Sequence, residues 1–406
     1  MTTTVRGLSV EDPAQAGALR AAMVRELHEQ GAIRSEPVAA ALATVPRHLF
    51  APGEPLEAAY APQGIVMAKR GPDGLAVSVM SAAHLQAVML EQAGIEPGMR
   101  VLEVGSGGYN AALIQEITGE SGQVTTVDID ADITDRARGC LAAAGYDGVN
   151  VVLADAEGGV PEGAPYDRII VTAAAWDIPP AWISQLTERG MLIVPLRLRG
   201  LTRSIAFDRD GDGLVSCDYC LARFVPVQGD GAYEERKVML RDGIAVQTDD
   251  PDVRLDAGAL GEALDSPGLE CWSGAAWDLP DELELFLTAS LPHVARLHAS
   301  QAVIDQGIIA QSALMGVTAL TAGDSFAYRV KRPDESTGGY ESGVIAHGPQ
   351  AGSLAGQYTD VLRRWARDYC RRGAALFRYL PGDAAPVPLP RGAIAKRHGV
   401  VTISWH

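Results

Sequence analysis

Cysteine and long apolar runs are the two features that this sequence most lacks. Five cysteines are scattered over 406 residues, an odd number that does not suggest a disulfide framework. No uninterrupted run of ~20 apolar residues occurs, and the first residues, MTTTVRGLSVEDPAQ, contain no apolar core of a signal peptide. We therefore expect a cytoplasmic protein that does not interact with membranes.

Metal ligands in a recognisable pattern are also missing. The eight histidines are dispersed, and the pair formed by Cys217 and Cys220 has no second pair nearby. The sequence therefore predicts no metal site, and we interpret the Cys217–Cys220 pair as structural.

Basic residues are outnumbered by acidic ones, with 34 Lys and Arg against 51 Asp and Glu and a net charge of -17. Such a surface repels phosphate backbones at long range, which argues against nucleic acid as a partner. The composition, with 47% hydrophobic and 21% charged residues, is typical of a soluble globular protein. The length predicts two domains and leaves the oligomeric state open.

The hydrophobic pattern predicts a doubly wound α/β sheet in the first part of the chain. Residues 12–43 have helical spacing, and residues 99–198 then alternate short apolar runs with amphipathic stretches. The strand candidates are 99–105, 123–130, 149–156, 166–175 and 190–196, and the helix candidates between them are 111–119 and 133–146. Strands and helices that alternate at this spacing indicate a mostly parallel sheet, which binds ligands at the carboxyl ends of its strands.

A different pattern begins after Gln228, where the alternation of strands and helices stops. We therefore predict two domains, a catalytic domain at 1–232 and an α+β domain at 233–406. The expected elements of the second domain are strands at 236–248, 282–291, 326–332 and 399–405 and one long amphipathic helix at 353–369.

The stretch VLEVGSGGYN, from Val101 to Asn110, is the most informative motif. Gly105, Ser106 and Gly107 follow a strand and predict a tight turn whose backbone approaches a ligand closely. The dinucleotide fingerprint G-x-G-x-x-G would need glycine where Asn110 stands. A glycine turn alone is weak evidence, because many such turns merely connect a strand to a helix.

Acidic residues close three successive strand candidates and strengthen the case for a nucleoside-containing cofactor. Glu103 ends the first strand, Asp128 ends the second, where a carboxylate can accept both ribose hydroxyls, and Asp155 ends the third, where it can meet an adenine amino group. The alternative, three solvated charges placed there by coincidence, explains the pattern less well.

Several motifs in order resemble those of the protein-L-isoaspartate O-methyltransferases. VLEVGSGGYNAALI is similar to the glycine motif VLEIGTGSGY of that family. The other landmarks are VPRHLF (45–50), AAY (58–60), PYDRIIVTAAA (165–175), IPPAWISQL (178–186), GMLIVPL (190–196) and RFVPV (223–227). The resemblance spans most of residues 20–229 and implies a Rossmann-like methyltransferase sheet, with S-adenosylmethionine as cofactor and S-adenosylhomocysteine as product. It adds Tyr109, Asn110, Ile129, Ala156 and Thr172 to the expected cofactor contacts.

The same resemblance indicates an acceptor site at Ser81 and His84. The family carries a serine near the transferred methyl group 22 residues before the glutamate of the glycine motif, and Ser81 stands at that distance from Glu103. The alternative for Ser81 is a helix N-cap, because a helical pattern follows it. The alternative for His84 is a solvated or structurally hydrogen-bonded histidine.

Two departures from the family concern the substrate. The acceptor segment is longer by several residues, with Pro62 at a usually acidic position and Val79 and Met80 in place of Thr-Ile, and a second domain follows. Both features resemble the C-terminally extended branch that tailors ribosomal peptides such as lanthipeptides, graspetides and lasso peptides. We favour methylation of an aspartyl residue in such a peptide, leading to succinimide or isoaspartate. A general repair methyltransferase for isoaspartyl residues of damaged proteins and a non-catalytic binding module are the alternatives.

Overall fold

The computed structural model describes residues 13–277, 280–382 and 392–405. The prediction that no signal peptide is present concerns mainly residues 1–12, which lie outside the described residues. The helices are α1 Pro13–Glu29, α2 Glu36–Thr44, α3 Leu56–Ala59, α4 Ala83–Ala93, α5 Tyr109–Thr118, α6 Ala131–Ala144, α7 Pro180–Ser184, α8 Ala257–Ala263, α9 Pro280–Ser290, α10 Gln301–Asp305 and α11 Ala351–Arg364. The strands are β1 Val66–Arg70, β2 Ala76–Met80, β3 Arg100–Val104, β4 Gln123–Asp128, β5 Asn150–Leu153, β6 Tyr166–Val171, β7 Leu186–Leu198, β8 Leu201–Asp210, β9 Gly213–Leu221, β10 Arg236–Arg241, β11 Ile244–Thr248, β12 Leu269–Ala276, β13 Val294–Ala299, β14 Val317–Ala322, β15 Ser325–Asp334, β16 Gly339–His347, β17 Leu376–Pro381, β18 Ile394–Ala395 and β19 Gly399–Ser404.

The predicted α/β sheet is present as part of a sheet of ten strands. Its order is β18-β19-β17-β9-β8-β7-β6-β3-β4-β5, and β3 to β7 are parallel to their neighbours within this set. The apolar strand candidates between residues 99 and 196 are therefore confirmed. They are nearly continuous in hydrophobicity because both faces of a parallel sheet are covered.

Two cores lie on the two faces of this sheet. Helices α1, α2, α4 and α5 bury their apolar sides on one face. On the other face, Trp182 of α7 packs among strand residues such as Ile169 and Leu192. Because β3 and β4 are parallel neighbours, their carboxyl ends lie at the same edge of the sheet, where the glycine motif also lies.

A second sheet of seven antiparallel strands follows in the order β10-β11-β13-β14-β15-β16-β12. Helix α8 packs on one face of it and α11 on the other. The predicted strands at 236–248 and 326–332 belong to this sheet, as the hairpin β10–β11 and part of β15, and the predicted helix at 353–369 corresponds to α11 and the single helical turn that follows it.

The strand predicted at 282–291 is wrong, because this segment is helix α9. Its first residues alternate between acidic and apolar, which is the pattern typical of a half-buried strand. In the structure, Leu283 and Phe286 contact the core of the second sheet, whereas Leu285 faces the core of the first. A helix that lies between two cores is apolar on both sides, so its sequence loses the single-faced helical pattern.

The last strands do not belong to the second sheet. Strand β17 pairs with β9 and β19, which extends the ten-stranded sheet, and Phe377 and Tyr379 are buried in its core. The boundary expected at residue 232 therefore separates the two sheets along the chain, but the segment after residue 375 returns to the first sheet. The described ranges contain no helix that is both long and apolar enough to cross a membrane.

Candidate active site

The glycine turn at the end of β3 has a backbone shape that only glycine tolerates. Gly105 has φ 101°, and its amide donates a hydrogen bond of 2.8 Å to the carbonyl of Val127 on the neighbouring strand. A Cβ atom at Gly105 would lie 2.4 Å from the Thr172 hydroxyl oxygen. The turn is thus held against β4 and β6, and its backbone forms part of a cavity wall.

Asp128 ends β4 and faces this turn. Its two carboxylate oxygens accept hydrogen bonds of 2.9 Å from the backbone amides of Ser106 and Asp130. An ionised carboxylate has about four lone-pair positions, so about two stay available to hydroxyl groups of a ligand. Asp128 is only partly buried and lies in the wall of the cavity.

The cavity itself is an open cleft of about 690 Å³ at the carboxyl ends of β3, β4 and β6. Of the residues predicted for cofactor binding, the following line it: Gly105, Ser106, Gly107, Asp128, Ile129, Ala156 and Thr172. The segment Val225–Gln228 and the strand residues Val77, Ser78 and Val79 complete the wall. The exposed side chain of Ile129 and the nearby valines give the cleft an apolar part beside the carboxylate of Asp128.

Glu103 lies beneath the turn rather than in the wall. It is almost completely buried and accepts a 2.6 Å hydrogen bond from the hydroxyl of Thr126. Burial raises the pKa of Glu103 to about 7, against the hydrogen bonds from Thr126 and Asn110, which lower it. Direct contact of Glu103 with the cofactor stays a prediction, and its observed side-chain partners are Thr126 of β4 and Asn110 of α5.

Tyr109 and Asn110 are at the start of α5 and do not line the cavity. The structure places Tyr109 in the core, with its ring 5.5 Å from the ring of Phe50 and 4.7 Å from the guanidinium carbon of Arg47. Asn110 is buried beside Glu103. The expected cofactor contact of the Tyr109 side chain is therefore not supported, because the helix phase directs this side chain into the core.

Asp155 lies behind a segment that the motif analysis did not assign to the cofactor site. Its carboxylate accepts hydrogen bonds from the backbone amides of Glu157, at 2.9 Å, and Asp230, at 2.8 Å. A Cβ atom on Gly229 would lie 2.2 Å from an Asp155 oxygen and 2.7 Å from Ile129 Cδ1. We name residues 225–231 the wall segment, because its first four residues line the cavity. The adenine contact of Asp155 stays a prediction.

Ser81 and His84 lie where the β1–β2 hairpin passes into α4. Both are partly exposed, and they are just beyond Ser78 and Val79 of the cavity wall. The N-cap of α4 is Ala82, so Ser81 is not the helix cap that its alternative interpretation required. The acceptor roles of Ser81 and His84 stay predictions.

Arg47 is a residue of this region that the motif analysis did not single out. It is fully buried, and its guanidinium donates to the carbonyl of Ser81 at 2.6 Å, to Gln86 Oε1 at 2.6 Å and to the carbonyl of Ala59 at 2.8 Å. One of these bonds reaches the backbone of Ser81, and the other two hold the guanidinium in place. The sequence signal that could have indicated this role is the arginine within the motif VPRHLF, because an arginine that is buried is almost always paired.

The β1–β2 hairpin is tied to the opposite rim of the cavity. Lys69 of β1 forms ion pairs with Asp130 at 2.6 Å and Asp132 at 2.7 Å at the start of α6. The pKa of Asp130 is lowered, chiefly by its hydrogen bond from Lys69. The segment that is longer than in the family thus forms a hairpin wall of this cavity.

The residues present fit S-adenosylmethionine. Gly105 permits a tight turn against Thr172 that a Cβ would block, a Cβ on Gly107 would meet only open space, and the buried hydroxyl of Ser106 has no hydrogen-bond partner within the described part of the chain. Asp128 offers acceptors for ribose hydroxyls, and Ile129 offers an apolar surface for a base.

The Cys217–Cys220 pair and metal ligands play no part in this geometry. Both cysteines are free, and partial desolvation together with the nearby carboxylate of Asp218 raises the pKa of each thiol to about 11, so neither is a reactive thiolate at neutral pH. Within residues 13–277, 280–382 and 392–405, no group of three metal-binding side chains comes together.

The parallel strands and the glycine turn between β3 and α5 form a Rossmann-like fold. The family model for protein-L-isoaspartate (D-aspartate) O-methyltransferase matches residues 18–232, and the chain belongs to this family. It is therefore an S-adenosylmethionine-dependent protein carboxyl O-methyltransferase.

Relatives and a solved structure agree with this assignment. The chain is 40% identical over 228 residues to a protein-L-isoaspartate O-methyltransferase of Hyperthermus butylicus, covering 53% of this chain and 91% of that protein. A protein-L-isoaspartate O-methyltransferase 2 of Archaeoglobus fulgidus is 38% identical over 202 residues, covering 49% and 89%. A solved structure described as a protein-L-isoaspartate O-methyltransferase has a TM-score of 0.51 at 21% identity and covers 95% of this chain and 99% of its own. That likeness concerns the fold and extends over both sheets.

Proposed function

We propose that this protein methylates the free carboxylate of L-isoaspartyl residues in proteins or peptides. The proposal rests on the match between this chain and relatives that are named for this activity, because the match covers about nine-tenths of the length of those relatives. The glycine cradle and Asp128 of the cofactor cavity and the adjacent Ser81 segment are consistent with it.

The acceptor needs little acid–base help from the enzyme. A carboxylate with a pKa near 4 is ionised at neutral pH and is itself the nucleophile. Bound S-adenosylmethionine supplies an electrophilic methyl group. The protein has to align the acceptor oxygen and exclude water, for which effective-molarity gains on the order of 7 kcal/mol are available.

Ser81 is the residue that we assign to alignment of the acceptor. Its hydroxyl would donate to one carboxylate oxygen and leave the other free to attack. The backbone that carries this hydroxyl is held by Arg47, whose guanidinium is buried and satisfied by three acceptors. A fixed backbone lowers the entropic cost of placing the hydroxyl.

A pair of peptides that differ only at one residue tests the proposal. One carries L-isoaspartate and the other L-aspartate at the same position, and methyl transfer is measured as base-labile methyl ester. We expect kcat/KM to favour the isoaspartyl peptide by at least about a hundredfold, roughly 3 kcal/mol of differential transition-state binding. Equal rates, or preference for the aspartyl peptide, would contradict it.

Aspartyl methylation in a ribosomally synthesised, modified peptide is the second candidate function. The observation in its favour is the longer acceptor segment, which forms the hairpin β1–β2 and supplies Ser78 and Val79 to the cavity wall. The second sheet favours it less than the sequence suggested, because a solved structure described as an isoaspartate methyltransferase matches 95% of this chain. A higher kcat/KM for a cyclised Asp-containing peptide than for the isoaspartyl peptide would support this candidate.

A further inference from the structure

Residues 396–398 lie far along the chain from the glycine motif, yet one of them bonds the wall segment beyond its cavity-lining residues and the others bond neighbouring loops. They follow β18 and precede β19, in the part of the chain that returns to the first sheet. Each of these three residues forms hydrogen bonds with a different element within residues 1–232.

Arg397 bonds the wall segment directly. Its guanidinium donates to the carbonyl of Asp230 at 2.6 Å and to the carbonyl of Ala232 at 3.3 Å. The amide of the same Asp230 donates to Asp155, so the end of the wall segment is bonded on both sides. The two guanidinium bonds span two residues of one loop and therefore fix its direction as well as its position.

His398 and Lys396 bond the elements on which the wall segment rests. His398 Nε2 lies 2.9 Å from Glu157 Oε1, and its backbone amide donates to Asp177 Oδ2 at 2.6 Å. Lys396 donates to the carbonyl of Arg197 at the end of β7, at 2.7 Å, and its ammonium lies 4.7 Å from the centroid of the Trp176 ring. Three consecutive residues thus connect the loops after β5 and β6, the end of β7 and the wall segment.

The wall segment is also held by contacts that do not involve residues 396–398. Its first part is held by backbone bonds between Ala174 and the residues Val225, at 2.8 Å, and Val227, at 3.1 Å. Its second part, from Gly229, contacts the body of the protein through Asp155 and through Arg397. Since Gly229 lies against both Asp155 and Ile129, a shift of this part moves two residues predicted to contact the adenosyl group.

We infer that Arg397, supported by His398, is a positioning residue for cofactor binding, and that the C-terminal segment completes the cofactor cavity by holding the end of the wall segment through Asp230 and through Ala232 just beyond it. The inference rests on the proposed function only in taking the cavity as the cofactor site. The isoaspartyl preference does not enter it.

The test uses the full chain with Arg397→Ala and measures two quantities that need no acceptor peptide. Titration calorimetry with S-adenosylhomocysteine should show a dissociation constant raised about five- to tenfold, as expected for loss of two hydrogen bonds from a charged, exposed donor. Backbone hydrogen exchange without cofactor should become faster in residues 228–233 and stay unchanged in β3 and β4.

Two further variants separate positioning from general stability. Arg378→Ala removes a guanidinium of the same C-terminal segment that pairs with Asp210 on the surface, away from the wall segment, and should leave both measurements unchanged. Arg397→Lys keeps one charged donor and should restore part of the affinity. In kinetics, Arg397→Ala should raise KM for S-adenosylmethionine while KM for the acceptor peptide stays as in the wild type.

Unchanged affinity and unchanged exchange in Arg397→Ala would overturn the inference, as would an equal loss in Arg378→Ala. If Arg397→Ala fails to fold, the same comparison made with Arg397→Lys decides the question: wild-type affinity and exchange there, together with wild-type KM values, would overturn it. If the isoaspartyl peptide is not methylated while the cofactor measurements change as expected, the proposed function fails and this inference stands.

Discussion

Substitution of Asp128 by alanine tests the assignment of the cofactor site most sharply. The carboxylate has two oxygens that each accept one backbone amide, from Ser106 and from Asp130, and about two lone pairs left for a ligand. Asp128→Ala removes the predicted acceptor of the ribose hydroxyls and releases the amide of the glycine turn at the same time.

The expected magnitude follows from these bonds. Hydrogen bonds to a charged acceptor contribute roughly 1.5–3 kcal/mol, so the dissociation constant of S-adenosylhomocysteine should rise about 10- to 150-fold. Loss of the two backbone bonds should also lower the free energy of unfolding by about 1–3 kcal/mol in the absence of ligand.

Asparagine should not rescue this site. Because each carboxylate oxygen already faces a backbone N–H, the amide nitrogen of Asp128→Asn would have to face one of these donors. We therefore expect Asp128→Asn to lose most of the affinity that Asp128→Ala loses. Asp135→Ala is the matched control, since Asp135 is an exposed acid of α6 that pairs only with Arg138 among the described ion pairs.

Calorimetric titration of the three variants with S-adenosylhomocysteine, together with urea unfolding of each, provides the assay. An Asp128→Ala protein that stays folded and binds within about twofold of the wild type would refute the assignment of Asp128 to the cofactor site.

Three further substitutions test other parts of the account. Burial raises the pKa of Glu103 from 4.5 to about 7, so between these pH values the folded state keeps a proton that the unfolded state loses. The free energy of unfolding should therefore fall as the pH rises through this window. Glu103→Gln should make that fall smaller, as measured by urea unfolding at about pH 5 and about pH 8. Gly105→Ala should weaken cofactor binding and lower the unfolding temperature, because φ 101° is unfavourable for alanine and its Cβ would lie 2.4 Å from Thr172 Oγ1; an unchanged melting curve and affinity would show that the turn relaxes. Ser81→Ala should lower kcat by about tenfold or more and leave affinity for S-adenosylhomocysteine within about twofold, and full activity would remove Ser81 from the acceptor site.

The part of the site that could be predicted from sequence is the part made by local backbone and strand ends. Gly105 and Asp128 reach one cavity because parallel strands β3 and β4 end at the same edge of the sheet, which the apolar runs already indicated. The family resemblance located Ser81, but not the buried Arg47 that fixes its backbone, since three distant acceptors meet only in the folded chain.

The parts that could not be predicted depend on packing between distant segments. Tyr109 follows the glycine turn directly, yet the phase of α5 directs it to Phe50 and Arg47 instead of the cavity. Residues 282–291 alternate like a strand because they form a helix between two cores. The contact of Arg397 with the wall segment joins residues more than 160 positions apart, so no local sequence pattern predicts it.

The central claim is that this chain forms a methyl ester on the carboxylate of an isoaspartyl residue. Its most direct test is mass spectrometry of an L-isoaspartyl peptide after incubation with the protein and S-adenosylmethionine, with fragmentation to locate the added group. We expect one added methyl group on the isoaspartyl carboxylate, lost on mild alkaline treatment, and none on the matched aspartyl peptide. A peptide that stays unmodified, or a methyl group found on another residue, would contradict it.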